Sequence, residues 1–242
     1  WYTKDYQSFI DYNIQDVELV DALEDKMKLI DLQITMAYFA KCNYNDVYSQ
    51  VRMWDVIMYN YLREKNIQVP MLHKQEKTEA YAGAYVKDPQ VGLHKWVVSF
   101  DLNSLYPHLI MQYNISPETI IGMSETHPGV DNMLEKSYNT DFLSGENQTM
   151  TPNGALFSRD KHGFLPELMQ QMYTDRSATK KQMLQASQQY ESTGDVQYKN
   201  MIPKLHNKQM ALKIALNSAY GAVGNQYFRF YDIRIAEAVT YG

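Results

Sequence analysis

The chain has 242 residues, 45% of them hydrophobic, which is enough apolar material for one or two cored domains, and its net charge of −5 at pH 7 speaks against broad electrostatic capture of nucleic acid. A single cysteine, Cys42, excludes a disulfide within the sequence, and no apolar run reaches the length of a membrane span. The amino-terminal residues show no charged-then-apolar export signal, so the cytoplasm is the expected compartment, with no membrane partner.

In chain order, Ile14, Val17, Val20, Leu23, Met27 and Ile30 recur at helical spacing and predict an amphipathic helix over 11–32, with Tyr12 and Asp16 one turn apart. On spacing alone these two are a half-buried phenol and a surface carboxylate. Met36 to Leu62 again has helical periodicity, and a connector rich in Lys, Glu and Gln follows near His73 to Glu79. Strands are expected near Ala84 to Val86 and Trp96 to Phe100, the second a buried strand that stops at Asp101.

Ser104 to Pro107 then reads as a helix start, because a first turn tolerates proline. The backbone N–H groups of Ser104, Leu105 and Tyr106 would lie unpaired there and favour phosphate oxygens, while a magnesium ion on Asp101 would neutralise the same phosphates. Asp after a strand, followed by Ser and Pro, is equally ordinary turn and cap chemistry. Met123 to Met150 is polar and poorly periodic, an expected irregular surface insertion.

Phe164-Leu165-Pro166 leads into a long polar helix over 167–190 in which Arg176 and Lys180 are i, i+4 neighbours. After a short connector around Glu191 to Asp195, a second helix is expected from Pro203 to about Tyr220, with Gly221 just beyond it. Lys213, Asn217 and Tyr220 share one face, Gln209 extends it one turn back, and Met210, Ile214 and Leu216 lie mainly on the other sides. The two helices predict an antiparallel, cationic hairpin inside an acidic chain; a solvated charged face is the plain alternative. Gln226 to Tyr231 returns from it, and Asp232 to Thr240 reads as a final helix.

Three blocks carry a resemblance to a known family. Asp101-Leu102-Asn103-Ser104-Leu105-Tyr106-Pro107, continuing into Asn114-Ile115-Ser116-Pro117-Glu118-Thr119, resembles the palm motif of family B DNA polymerases of T-even-type bacteriophages. Lys213 through Gly221, with Gly224 and Asn225, resembles the fingers motif, and Tyr12-Asn13-Ile14-Gln15-Asp16-Val17 the third motif of the proofreading exonuclease. Tyr81-Ala82-Gly83-Ala84-Tyr85 is similar, less closely, to a Tyr-Gly element between those parts.

The resemblance implies an α+β chain: a partial palm of mixed sheet plus helices, an antiparallel helical fingers hairpin, and a helical remnant of an exonuclease domain. Its parts would be the exonuclease end at 1–32, a connecting helical segment at 33–75, the first part of the palm at 76–162, trimmed fingers at 163–224 and a palm return at 225–242. By resemblance, Asp101 and Lys213 belong to the catalytic centre, and Asp101 and the Leu102 carbonyl are ligands of two magnesium ions. Ser104 and Leu105 would hold triphosphate oxygens, and Tyr106 would be the steric gate against a 2′-hydroxyl. Arg176, Lys180 and Lys213 would grip the triphosphate, Asn217 would support them, and Tyr220 with Gly221 would pack on the nascent base pair. Asp16 would bind metal in the exonuclease site and Tyr12 would orient the attacking water.

The family's second palm motif, with its paired aspartates, does not occur before Gly242, nor do the earlier exonuclease carboxylates, and Trp1 stands where an initiating methionine would. The expectation is therefore a piece of a replicative DNA polymerase with a 3′-5′ exonuclease, inactive alone and working in the host cytoplasm. The implied partners are primer-template DNA, deoxynucleoside triphosphates, the rest of the polymerase chain and a sliding clamp reached through its carboxyl-terminal part. A non-catalytic nucleotide or nucleic-acid binding module, or one chain of a split polymerase, are the alternatives.

Overall fold

A computed structural model describes residues 2–72, 83, 86–125, 128–143 and 145–242. Helix α1 (Tyr6–Met27) starts at Asp5, whose carboxylate accepts from the Ser8 N–H at 3.2 Å. Lys28 is left-handed (φ 52°) and separates α1 from α2 (Leu29–Ala40). The single helix expected over 11–32 is thus two helices. The reason is local: the Glu24 carboxylate accepts from the Leu29 and Ile30 N–H groups at 3.0 and 3.2 Å, so the first helix caps the second. No residue of α1 is buried, and its apolar row has no cover from the described residues.

Helix α3 (Gln50–Glu64) begins at Ser49, which caps the Arg52 N–H, and buries Met53, Trp54, Ile57, Met58 and Leu62 along one stripe. Helical spacing places these on a single face. Helix α4 (Leu105–Tyr113) is short and ends at Asn114, in the left-handed region at φ 57°. Strands β1 (Ile120–Met123), β2 (Gln148–Met150) and β3 (Ala155–Ser158) form an antiparallel sheet in the order β1-β3-β2, with Ile120 opposite Phe157 and Met150 opposite Leu156. Between β1 and β2 lie a short helix α5 (Val130–Leu134) and a 3-10 turn at 141–143, so the stretch expected to be irregular carries some structure of its own.

The sheet departs from expectation in kind and in place. It is antiparallel rather than mixed, and residues 95–100 are not a strand: Trp96 is 97% and Phe100 91% exposed. Strand propensity is realised only against a pairing neighbour and a covered face, and among the described residues this run has neither. Of the strand expected near Ala84 to Val86, Ala84 and Tyr85 lie outside the described residues, as does the segment 73–82 with the connector and most of the Tyr-Gly element.

Helices α6 (Phe164–Thr193, 30 residues) and α7 (Val196–Val223, 28 residues) form the expected hairpin, both longer than the sequence pattern suggested. Left-handed Gly194 (φ 68°) ends α6, and the Asp195 carboxylate accepts from the Gln197 N–H at 2.8 Å and starts α7 at once. Pro203 therefore lies inside α7 rather than at its start. At the far end, burial of Ala222 and Val223 carries the helix past Gly221. Helix α8 (Ile233–Tyr241) is capped by Asp232, within a residue of the expected bounds.

One core joins these elements, with Met53 and Trp54 (α3), Ile110 (α4), Phe157 (β3), Leu165 and Met169 (α6), Leu212 and Leu216 (α7) and Ile235 (α8) in contact. The buried Trp54 indole N–H donates to the Ala215 carbonyl at 3.1 Å and to Ser218 Oγ at 3.0 Å, fixing the back of α7 to α3. Arg229 grips Asp55 through two bonds of 2.7 and 3.0 Å and tethers the returning chain to the same helix, the carboxylate holding the guanidinium pKa above its ordinary value.

Candidate functional site

Where the start of α4 faces the helical hairpin there is a cleft of about 580 Å³. One wall is the stretch 101–107; the other carries Arg176 and Lys180 from α6 and Lys213 and Asn217 from α7. Two groups of residues, with Pro107 and Arg176 as their nearest members in sequence, thus meet across one space. Local structure explains the display: Lys213 and Asn217 stand exposed on α7 because Leu212, Ala215, Leu216 and Ser218 turn the opposite face into the core.

Helix α4 opens without a side-chain cap from Ser104, which is left-handed at φ 53°. Its first intrahelical bond runs from the His108 N–H to the Ser104 carbonyl, so Leu105 and Tyr106 bring N–H groups that have no acceptor within the helix. Pro107, buried in the first turn, has no N–H to satisfy. Facing this positive helix end, Arg176 Nη1 approaches Ser104 Oγ at 3.5 Å, while its Nε is buried without a hydrogen-bond partner. A guanidinium with an unused, desolvated donor, two lysines and a free helix start together suit an anion with several oxygens, such as a polyphosphate.

Below the cations, the Tyr106 and Tyr220 rings lie 4.8 Å apart at 47°, which joins α4 to α7, and His108 meets Tyr173 edge-on at 4.7 Å, which joins α4 to α6. Gly221 is exposed inside α7, and a Cβ there would meet nothing closer than Gln50 Oε1 at 3.6 Å. Packing within the described residues thus makes no demand for glycine at this position.

Asp101 is the one carboxylate among the described residues that lines the cleft. Magnesium takes about six oxygens in near-octahedral array. Asp101 and the Leu102 carbonyl supply two of these, water and phosphate oxygens commonly supply others, and among the described residues there is no group of three or more His, Cys, Asp or Glu that could hold a metal ion. The donors among the described residues thus make part of a magnesium coordination sphere rather than all of it.

Of the residues singled out in the sequence, Asp101, Leu102, Ser104, Leu105, Tyr106, Arg176, Lys180, Lys213 and Asn217 line the cleft. Tyr220 reaches it through Tyr106. Tyr12 and Asp16 do not: both are exposed on α1, and neither lines the cleft. The sequence reading missed Trp54, which holds α7 in place from behind; the only advance signal was that a buried indole must find an acceptor.

The sequence profile of DNA polymerase family B matches residues 46–242. The chain belongs to DNA polymerase family B. It is similar to the DNA-directed DNA polymerase of Escherichia phage RB69 (33% identity over 97% of this chain and 30% of that protein) and to that of Enterobacteria phage T4 (30% identity, with the same coverage). It is also similar to a solved structure of the family B DNA polymerase from the hyperthermophilic archaeon Pyrobaculum calidifontis, with a TM-score of 0.68 and 25% identity over 96% of this chain and 27% of that one. The chain thus spans less than a third of the length of these family B relatives. The phage-type family expected from the sequence is the one found. Among the described residues, no helix is long and apolar enough to cross a membrane.

Proposed function

We propose that this chain is the nucleotide-binding part of a DNA-directed DNA polymerase that adds deoxynucleotides to a primer 3′ end on a DNA template. The observation that carries the reading is the meeting of Asp101 and the start of α4 with Arg176, Lys180, Lys213 and Asn217 in one cleft. Under it, residues 76–162 and 225–242 are palm, 163–224 are fingers, and 33–75 connect them to the exonuclease end at 1–32.

Arg176, Lys180 and Lys213 bind the triphosphate as a fork and two point charges, and the N–H groups of Ser104 and Leu105 take further phosphate oxygens. Asn217 orients that grip. Tyr106, backed by Tyr220, packs under the sugar and excludes a 2′-hydroxyl, while Gly221 leaves α7 bare for the nascent base pair. Asp101 gives one carboxylate, and Leu102 its carbonyl, to a magnesium-binding set whose other carboxylates are not among the described residues. The exposed α1, with Tyr12 and Asp16, belongs to the proofreading site, and its uncovered apolar row supports that placement.

In the complete protein, Asp101→Asn should abolish primer extension, at least a thousand-fold by the usual scale for lost charge neutralisation in phosphoryl transfer, about 4 kcal/mol, and should leave thermal unfolding unchanged because Asp101 is exposed. Extension at the wild-type rate would remove Asp101 from the site.

A further inference from the structure

Helix α6 begins without a cap of its own: Gly163 precedes it and offers no side chain. Yet each donor of its first turn is satisfied, and all from one other segment. The Gly163 N–H donates to Asn114 Oδ1 at 2.9 Å, Phe164 N–H to Glu118 Oε1 at 2.6 Å and Leu165 N–H to Ser116 Oγ at 3.3 Å. Pro166 has no N–H, and the intrahelical ladder starts with Glu167 N–H to the Gly163 carbonyl at 3.1 Å. Complete satisfaction of a helix start by a distant segment is a built feature, because such donors are otherwise left to water.

The same segment is tightly held. Asn114 donates to the carbonyls of Ser158 and Lys161 at 2.7 and 2.8 Å, and Ser116 Oγ donates to Glu118 Oε2 at 2.5 Å. Gly163 lies so close that a Cβ there would stand 2.6 Å from the Ser116 Cβ. Asn114 also ends α4. One residue therefore closes the helix that displays Ser104 and Tyr106 and helps open the helix that displays Arg176 and Lys180. From this joint α4 runs back and α6 runs out to the cleft, where they meet again at Arg176 and Ser104.

We infer that Asn114, Ser116 and Glu118 are positioning residues that set the distance between the triphosphate-binding cations and the start of α4. The inference rests on the polymerase reading given above. Arg176 lies about 18 Å along α6 from Phe164, so a tilt of about 10° at the joint would move it about 3 Å, which is enough to lose a phosphate hydrogen bond. Asn114 and Ser116 are buried anchors, whereas Glu118 is exposed and places a carboxylate on the positive end of the α6 dipole. It is the member that can be changed without emptying the core.

The test is steady-state primer extension by the complete polymerase carrying Glu118→Ala or Glu118→Gln, with thermal unfolding measured alongside. Glu118→Ala should raise KM for the deoxynucleoside triphosphate about five-fold or more, with kcat within about two-fold and the melting temperature little changed. Glu118→Gln should restore most of the lost affinity, because its amide oxygen still accepts from Phe164. An unchanged KM, or a fall in kcat and melting temperature at constant KM, would overturn the inference and leave a merely structural cap. Equal KM increases in both variants would overturn capping as the cause. Primer extension unaffected by Asp101→Asn would instead remove the polymerase reading of the cleft, and this inference with it.

Discussion

Tyr106 occupies the second position of α4, where the helix start fixes its backbone, and Tyr220 backs its ring at 4.8 Å. A side chain held from both directions can act as a wall, whereas a mobile one cannot. On that ground Tyr106→Ala in the complete polymerase should raise ribonucleotide incorporation relative to deoxynucleotide incorporation by about ten-fold or more, measured as the ratio of kcat/KM values. An unchanged ratio would show that some other group excludes the 2′-hydroxyl. Arg176 illustrates a different point at this scale. Its place on a polar helix was legible in the sequence, but its buried Nε without a partner, a donor suited to an anion, belongs to the packed structure.

Helix α7 has to present Lys213 and Asn217 to the cleft while burying the residues between them. Its rotational setting is held from behind by Trp54, whose indole bonds to the Ala215 carbonyl and Ser218 Oγ sit on the opposite face. Trp54→Phe keeps most of the apolar volume and removes both bonds, so it should lower the unfolding free energy by about 1–3 kcal/mol in a denaturant titration. A loss under about 0.5 kcal/mol would mean that packing alone sets the helix. Between α3 and α6, the Lys65 to Glu167 pair at 2.6 Å holds the Glu167 carboxyl below and the Lys65 ammonium above their ordinary pKa values. It is close to half exposed, so screening leaves it a minor tether beside the three-residue clasp on the first turn of α6.

At the level of the whole molecule, one core unites α2, α3, α4, β3, α6, α7 and α8, while α1 and the run 95–100 show apolar side chains to solvent. Exposed apolar surface on this scale is characteristic of faces meant for a partner. The cleft has Asp101 as its one carboxylate among the described residues. This chain produced alone should therefore show no magnesium-dependent primer extension in a gel assay with labelled primer, and detectable extension would mean that it holds a complete metal set after all.

Features that depend on near neighbours in the chain were determined by the sequence itself: the stripe of α3, the α6 and α7 hairpin, the capped start of α8, and the one-turn spacings of Arg176 with Lys180 and Lys213 with Asn217. Helical periodicity and capping act over a few residues and survive whatever surrounds them. Helix ends were less legible, because burial of Ala222 and Val223 and the Glu24 side chain moved them. Only the tertiary structure decided which apolar runs became strands: Ile120–Met123 found β3, whereas Trp96 to Phe100, richer in strand formers, pairs with no strand among the described residues. It also decided that the stretch 101–107 and the two cationic helices share one cleft, and that Asn114, Ser116 and Glu118 cap a helix some fifty residues away. Strand pairing and cross-chain caps are made between partners distant in sequence, and they exist only once packing has brought those partners together.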